Sequence, residues 1–315
     1  MPEIPISDRR RVVIALGGNA LIERHHPLDA AAQLVNIRRA VDALAPLAVD
    51  HRLVITHGNG PQVGLLALES SADANLDRPY PLDALGAETQ GLIGYWLLQA
   101  LGNALPDQHV AAVITQTLVA TTDPAFDHPT KINGPVYTDE RAHELAATRR
   151  WTVAPDGTAW RRVVASPTPQ AVVEMALIER LVDADTIVIC GGGGGIPVTR
   201  NPAGKLEGVE AVVDKDLTSA LIAEAVHADA LLLLTDVPAI STDITDPSAP
   251  PIRRATPTDL RRQPFPPGSM GPKVEAACQF VERTGHMAAI GALADAPAIL
   301  AGTAGTIITP AGTYP

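Results

Sequence analysis

Val12-Val13-Ile14-Ala15-Leu16-Gly17-Gly18-Asn19 begins as an unbroken apolar run and ends on two glycines and an amide. A strand with one wet face would alternate, so residues 11–16 read as a strand buried on both faces. Gly17-Gly18-Asn19-Ala20 then leaves backbone N–H groups bare of side-chain bulk where a helix is expected to start, a geometry suited to phosphate oxygens or to an ordinary tight turn. The same grammar recurs twice. Residues 52–56 form an apolar run ending in His57-Gly58-Asn59-Gly60-Pro61, and residues 186–190 run into five glycines, Gly191 to Gly195.

Working outward, helical patterns over 30–49, from about 61, and over 82–105, 169–182, 217–226 and 273–284 alternate with strands over 110–115, 230–234, 287–291 and 306–309. Gly86, Gly91 and Gly94 in the third helix are expected to allow close packing. Short apolar strands alternating with amphipathic helices predict a three-layer αβα sandwich around a mainly parallel sheet. Ligands of such sheets sit beyond the carboxyl ends of the strands, where these glycine loops fall. Residues 1–315 read as one domain. Residues 118–166, rich in Pro, Thr and charge, are expected to form an inserted protruding subdomain with a hairpin turn at Asp156-Gly157. Residues 243–268 read as a surface excursion with a short helix at 257–262.

Hydrophobic residues make up 46% and aromatic residues 3%, so the core is aliphatic and the chain is neither disordered nor collagen-like. The net charge of −11 argues against nucleic-acid or anionic-membrane binding. Cys190 and Cys278 lie in apolar runs and read as reduced core thiols of a cytoplasmic protein. No run reaches the roughly 18 apolar residues needed to span a bilayer.

Of the 24 basic residues only four are lysines: Lys131, Lys205, Lys215 and Lys273. Where Arg serves as the general cation, a retained Lys marks a place for a slim point charge, or is an accident of composition. Context separates them. Lys215 sits between Asp214 and Asp216 ahead of a helix; Asp214 reads as an N-cap, and the carboxylates can orient the lysine or help bind Mg2+. Lys273 follows Gly268-Ser269-Met270-Gly271-Pro272 near another helix start, where a cation opposes the helix dipole unless an anion joins it. Lys131 belongs to Thr130-Lys131-Ile132-Asn133-Gly134-Pro135 in the insert, and Lys205 to a solvated turn. His57 reads as a hydrogen-bonded structural residue ahead of a general base. Three lysines, glycine loops and paired aspartates, without a Cys/His metal cluster or nucleophile elbow, point to phosphoryl transfer, which needs positioning and positive charge more than a nucleophile.

On these residues the chain resembles the carbamate kinases, a branch of the amino acid kinase family. The resemblance is carried in order by Ala15–Ala20, His57–Gly64, Leu85–Glu88, Asp123–Phe126, Lys131 with Gly134-Pro135, Arg161–Val164, Gly191–Val198, Gly208–Leu217, Leu234–Val237, Gly268–Ala277 and Ala296–Gly302. It implies Mg2+-dependent, reversible phosphoryl transfer between ATP and carbamate, giving ADP and carbamoyl phosphate and run toward ATP in many members, by a homodimer. Gly17, Gly18, Asn19, Gly58, Asn59 and Gly60 would hold the carbamoyl and transferred phosphate groups. Lys131 would reach the same groups, while Lys215 and Lys273 would neutralise phosphates and Asp214 would orient lysines. Gly191, Gly192, Asp216, Thr235, Asp236, Met270 and Lys273 would border the nucleotide, and no protein cage for a metal is expected. Ile132-Asn133 stands where the branch usually has Pro-Ile, and the usual aromatic neighbour of adenine is missing around Ile240-Ser241-Thr242. These departures keep two alternatives in view: a different small carboxylate as acceptor, and a catalytically silent nucleotide-binding homologue.

Overall fold

The computed structural model describes residues 9–18, 29–149, 151–243, 249–266 and 268–312. Asn19 lies outside them. The opening apolar run forms the strand Arg10–Leu16 at the middle of an eight-stranded sheet. Its neighbours are His51–His57 on one side and Ala230–Thr235 on the other, both parallel to it. Ile187–Ile189 and then Val110–Ala112 extend the sheet beyond His51–His57. Met287–Ala292, Thr306–Ile308 and Arg254–Ala255 extend it on the other flank, where Met287–Ala292 and Thr306–Ile308 pair antiparallel.

Both faces are dry, as the continuous apolar strands require. Val12, Ile14 and Leu16 point into one core with Ile37, Leu44 and Leu97 from the helices Ala30–Asp50 and Leu82–Ala104. Val13 and Ala15 point into the opposite core with Ile178, Ile222 and Phe280 from the helices Met175–Asp183, Lys215–Ala225 and Met270–Thr284. The result is the three-layer αβα sandwich. The chain passes from the first strand to His51–His57 on one side and returns to Ala230–Thr235 on the other, so the sheet's topological switch point lies beside Arg10–Leu16, at the loop Gly17-Gly18.

Two smaller sheets flank this body. Lys131–Tyr137, Thr152–Asp156 and Ala159–Val164 form an antiparallel sheet within the 118–166 segment. Its hairpin loop is Gly157-Thr158, one residue beyond the expected Asp156-Gly157, with Gly157 at φ 63°. A four-stranded sheet combines Gln116–Val119, Pro169–Val172, Ile196–Arg200 and Leu206–Gly208.

That second sheet corrects one expectation. The predicted helix over 169–182 is a strand, Pro169–Val172, followed by a shorter helix, Met175–Asp183. The open edge of Gln116–Val119 captures the first residues, and the Glu174 carboxylate accepts both the backbone and the side-chain N–H of Gln116 at 2.7 and 2.8 Å. Pairing outweighs the helical pattern there. The glycines of Leu82–Ala104 need a correction too. A Cβ on Gly94 would lie 3.3 Å from the Ala112 methyl, whereas Gly86 and Gly91 face open space. The short helix expected at 257–262 is Pro257–Arg261, closed by a capping box between Thr256 and Asp259.

Candidate active site

The glycine loops meet at the carboxyl ends of the central strands. Gly17 donates to the Leu234 carbonyl at 2.9 Å, and Gly58 to the Leu16 carbonyl at 3.0 Å. A Cβ on Gly17 would come within 2.9 Å of the Leu234 oxygen, and one on Gly58 within 2.9 Å of the Gly18 nitrogen. Three strand ends therefore close on one another only because these side chains are missing. Thr235 and Asp236 lie at the same edge, where the Thr235 hydroxyl donates to Asp236 at 3.1 Å. Asn59 and Gly60 open the helix Gly60–Ala72, and the buried Asn59 amide donates to Thr89 at 2.8 Å.

Beside these loops the structure gathers the three lysines that sequence context singled out. Asp214 caps the helix Lys215–Ala225, its Oδ1 accepting from the backbone N–H of Asp216 and Leu217. Its Oδ2 lies 2.6 Å from the Lys131 ammonium, which reaches in from the Lys131–Tyr137 strand. Asp216, one residue into that helix, is buried and clasps two ammonium groups: Lys215 at 2.6 Å on Oδ1 and Lys273 at 2.8 Å on Oδ2. Asp216, expected against the nucleotide, thus has both oxygens on lysines. Three ammonium groups face two carboxylates, leaving one positive charge in surplus among these five residues.

The electrostatics follow from that arithmetic. Burial alone would raise the Asp216 carboxyl, but Lys215 and Lys273 outweigh it and hold it far below the usual carboxylate range. Burial pushes Lys215 down against the pull of Asp216, with Lys273 adding like-charge repulsion. Lys273 is held above its ordinary value because Asp216 overcomes its burial. Lys215 stands at the first position of its helix, and Met270 opens the helix that carries Lys273 one turn in. Two helix N-termini and two cations thus converge on one region, the environment a phosphate group seeks.

The five-glycine run adds a third wall. Gly191, Gly193, Gly194 and Gly195 all have positive φ, between 60° and 91°. A Cβ on Gly193 would overlap the Asn59 amide at 2.2 Å, and one on Gly192 would strike the His57 ring at 2.5 Å. His57 is buried beneath this turn with Nδ1 3.1 Å from the Gly58 carbonyl. Burial, reinforced by Lys215, lowers its pKa to about 4 against the opposing Gly58 bond, so the ring is neutral and structural at neutral pH.

The insert is tied to the body near the site. Arg162 pairs with Glu210 at 3.0 Å, Glu210 also accepts from the Leu82 backbone, and Gly134 crosses Gly64 so closely that a Cβ on Gly64 would lie 2.7 Å from it. Asn133 is buried on this strand with neither amide atom hydrogen-bonded, while Ile132 is exposed. Lys205 stays in the turn that Asn201 closes, its backbone N–H donating to the Asn201 side chain at 3.0 Å. Sequence reasoning missed the polar residues that hold the glycine turn: Gln90, Thr115, Thr117 and Thr218. For Gln90 a signal existed, because Leu82, Gly86, Gln90 and Gly94 form one helical stripe with a lone amide on it.

Among the described residues no group of three or more His, Cys, Asp or Glu could hold a metal ion, and no helix is long and apolar enough to cross a membrane.

Comparison with known proteins agrees with this geometry. The amino acid kinase family model matches residues 10–291. A carbamate kinase of Rhizobium meliloti is 52% identical over 95% of this chain and 93% of its own length. One from Haemophilus influenzae is 48% identical over 95% and 96%. The solved carbamate kinase of Giardia lamblia bound to AMP-PNP superposes with a TM-score of 0.88 at 37% identity, covering 96% of this chain and 99% of that one. With the sheet, the glycine loops and the clasped lysines in place, the chain belongs to the amino acid kinase family, in its carbamate kinase branch.

Proposed function

We propose that this chain catalyses reversible phosphoryl transfer between carbamoyl phosphate and ADP, giving carbamate and ATP. One observation carries the site assignment: lysines from three distant segments meet on Asp214 and Asp216, beside the loops at the sheet's switch point. Relatives of one name over nearly the whole chain favour this reading over another carboxylate acceptor or a silent homologue.

In this reading Gly17, Gly18, Asn19, Gly58, Asn59 and Gly60 hold the carbamoyl phosphate. Gly191, Gly192, Thr235, Asp236 and Met270 border the nucleotide. An oxygen of the ADP β-phosphate attacks phosphorus in line, the bond to the carbamate oxygen breaks, and carbamate leaves. The charge on the transferring group is spread over its equatorial oxygens, and fixed cations serve it best. Lys131, Lys215 and Lys273 supply them. Asp214 and Asp216 hold the ammonium groups in place before substrate arrives, so little reorganisation remains for the reaction. Mg2+ fits this site as a companion of the nucleotide phosphates, since Asp214 and Asp216 are already engaged by lysines and Mg2+ commonly rides on phosphates and water.

The same reading includes a homodimer in the cytoplasm. Leu92, Tyr95 and Leu98 leave an apolar stripe exposed on the Leu82–Ala104 helix, and Tyr95 and Leu98 line a hollow there together with the exposed Ile114. A second copy would cover it, and Tyr95→Asp should yield monomers in sedimentation. Both cysteines are free and buried, in keeping with a reducing compartment.

The test is a coupled assay of ATP formed from ADP and enzymatically supplied carbamoyl phosphate with Mg2+ near neutral pH. Turnover supports the reading; its absence with folded protein overturns it.

A further inference from the structure

Five consecutive glycines have no conformation of their own, since glycine loses more backbone freedom on ordering than any other residue. Yet Gly191–Gly195 is packed inside the molecule in one defined turn. Side chains from other elements must therefore set its shape. Thr115 accepts from the Gly191 N–H at 3.0 Å. Thr117 and Thr218 both donate to the Gly194 carbonyl, at 2.8 and 2.9 Å. At the middle of the turn the Gly192 carbonyl accepts from the Gly195 N–H at 3.0 Å and from one side chain outside the turn, Gln90. Gln90 Nε2 donates to the Gly192 carbonyl and to the Thr115 carbonyl, each at 3.1 Å, while its Oε1 accepts from the Thr115 N–H at 2.8 Å. The three contacts use both amide hydrogens and the amide oxygen of a buried side chain.

The consequence concerns direction. Within the turn, Gly194 and Gly195 donate to the carbonyls of Gly191 and Gly192, and Gly191 donates to Thr115. The N–H groups of Gly192 and Gly193 are the ones left for a ligand. The peptide between these two glycines carries the Gly192 carbonyl and the Gly193 N–H on opposite sides, so holding the carbonyl fixes where the N–H points. Gln90 holds that carbonyl from behind.

We propose that Gln90 is a positioning residue for nucleotide binding: it touches no substrate, and it aims the Gly193 N–H at the phosphates by fixing the Gly192 carbonyl. This rests on the reading of Gly191 and Gly192 as nucleotide contacts. Two variants test it. Gln90→Glu keeps the shape and loses the donors; Gln90→Met loses all three hydrogen bonds without burying a charge. The expected result is a rise of about tenfold or more in KM for ADP, with KM for carbamoyl phosphate within about twofold of wild type. Gln99→Met, on the exposed side of the same helix, should leave both constants unchanged. A folded Gln90→Met protein with a lowered Tm and unaltered KM for ADP would overturn the proposal, because a merely structural residue behaves that way. Equal changes in both KM values would also overturn it. ADP affinity by calorimetry separates this from the functional reading. If wild type binds ADP without turnover, the proposed reaction fails while the Gln90 effect on ADP affinity still stands or falls by itself.

Discussion

Lys131 and Asp214, 83 residues apart in sequence, meet at 2.6 Å. The same carboxylate that caps the Lys215–Ala225 helix holds the lysine of the inserted sheet, so the insert and the helix that carries Lys215 share one anchor. Asp214→Asn retains a cap acceptor and removes the charge. Steady-state kinetics should show kcat lower by about 10- to 100-fold, from loss of electrostatic positioning. Asp214→Ala should show a similar kinetic loss and about 1 kcal/mol less stability than Asp214→Asn in urea, the usual worth of an N-cap. Wild-type kcat in Asp214→Asn would rule out the shared anchor as part of the reaction.

Asp216 clasps both Lys215 and Lys273, one on each carboxylate oxygen. Asp216→Asn leaves two buried ammonium groups facing each other. Breaking a buried pair this way costs about 3–5 kcal/mol. It also lowers both lysine pKa values, since the carboxylate is what raises them. The alkaline limb of the rate profile should therefore move to lower pH. A pH profile that superposes on wild type would contradict the assigned charges.

His57 links stability to pH. Burial lowers its folded pKa to about 4 from the ordinary imidazole value of 6.5, so between those values the unfolded chain binds a proton that the folded one refuses. Stability then falls as pH drops through this window, by about 3 kcal/mol in all. Urea midpoints of wild type and His57→Gln, compared from pH 7 to 4, should diverge in slope, with the variant flatter. Parallel slopes would place the titration elsewhere.

The glycine turn predicts a steric contrast. Gly193 and Gly204 both have positive φ, but a Cβ at Gly193 overlaps Asn59, while one at Gly204 meets open space. Gly204→Ala should cost about 1 kcal/mol from backbone strain alone. Gly193→Ala should cost distinctly more and abolish most activity. Similar melting temperatures for the two variants would show that the turn is looser than its packing implies.

Much of this was legible in the amino-acid sequence. Continuous apolar strands announced a covered parallel sheet, and the glycines after Leu16, His57 and Cys190 marked the carboxyl ends of its strands. The scarcity of lysine singled out four residues, and their sequence contexts separated Lys131, Lys215 and Lys273 from Lys205. The partition of the two aspartates was not legible. Asp214 and Asp216 both precede or open one helix, and only the path of the insert and of Met270–Thr284 decides which lysine each receives. Pro169–Val172 was misread as helix because the edge it pairs with is 50 residues away. The lone amide of Gln90 on its helical stripe was a signal, but its partners are backbone groups of other segments, so residue type alone does not name them.

The central claim is that the few lysines act as point charges fixed around a transferring phosphate. It is tested most directly by comparing kcat of wild type, Lys215→Arg and Lys205→Arg, all making ATP from ADP and carbamoyl phosphate. A guanidinium cannot reproduce the ammonium geometry at Asp216. Turnover should therefore fall by about 10²-fold or more in Lys215→Arg and stay at the wild-type level in Lys205→Arg. Three equal rates would contradict the account.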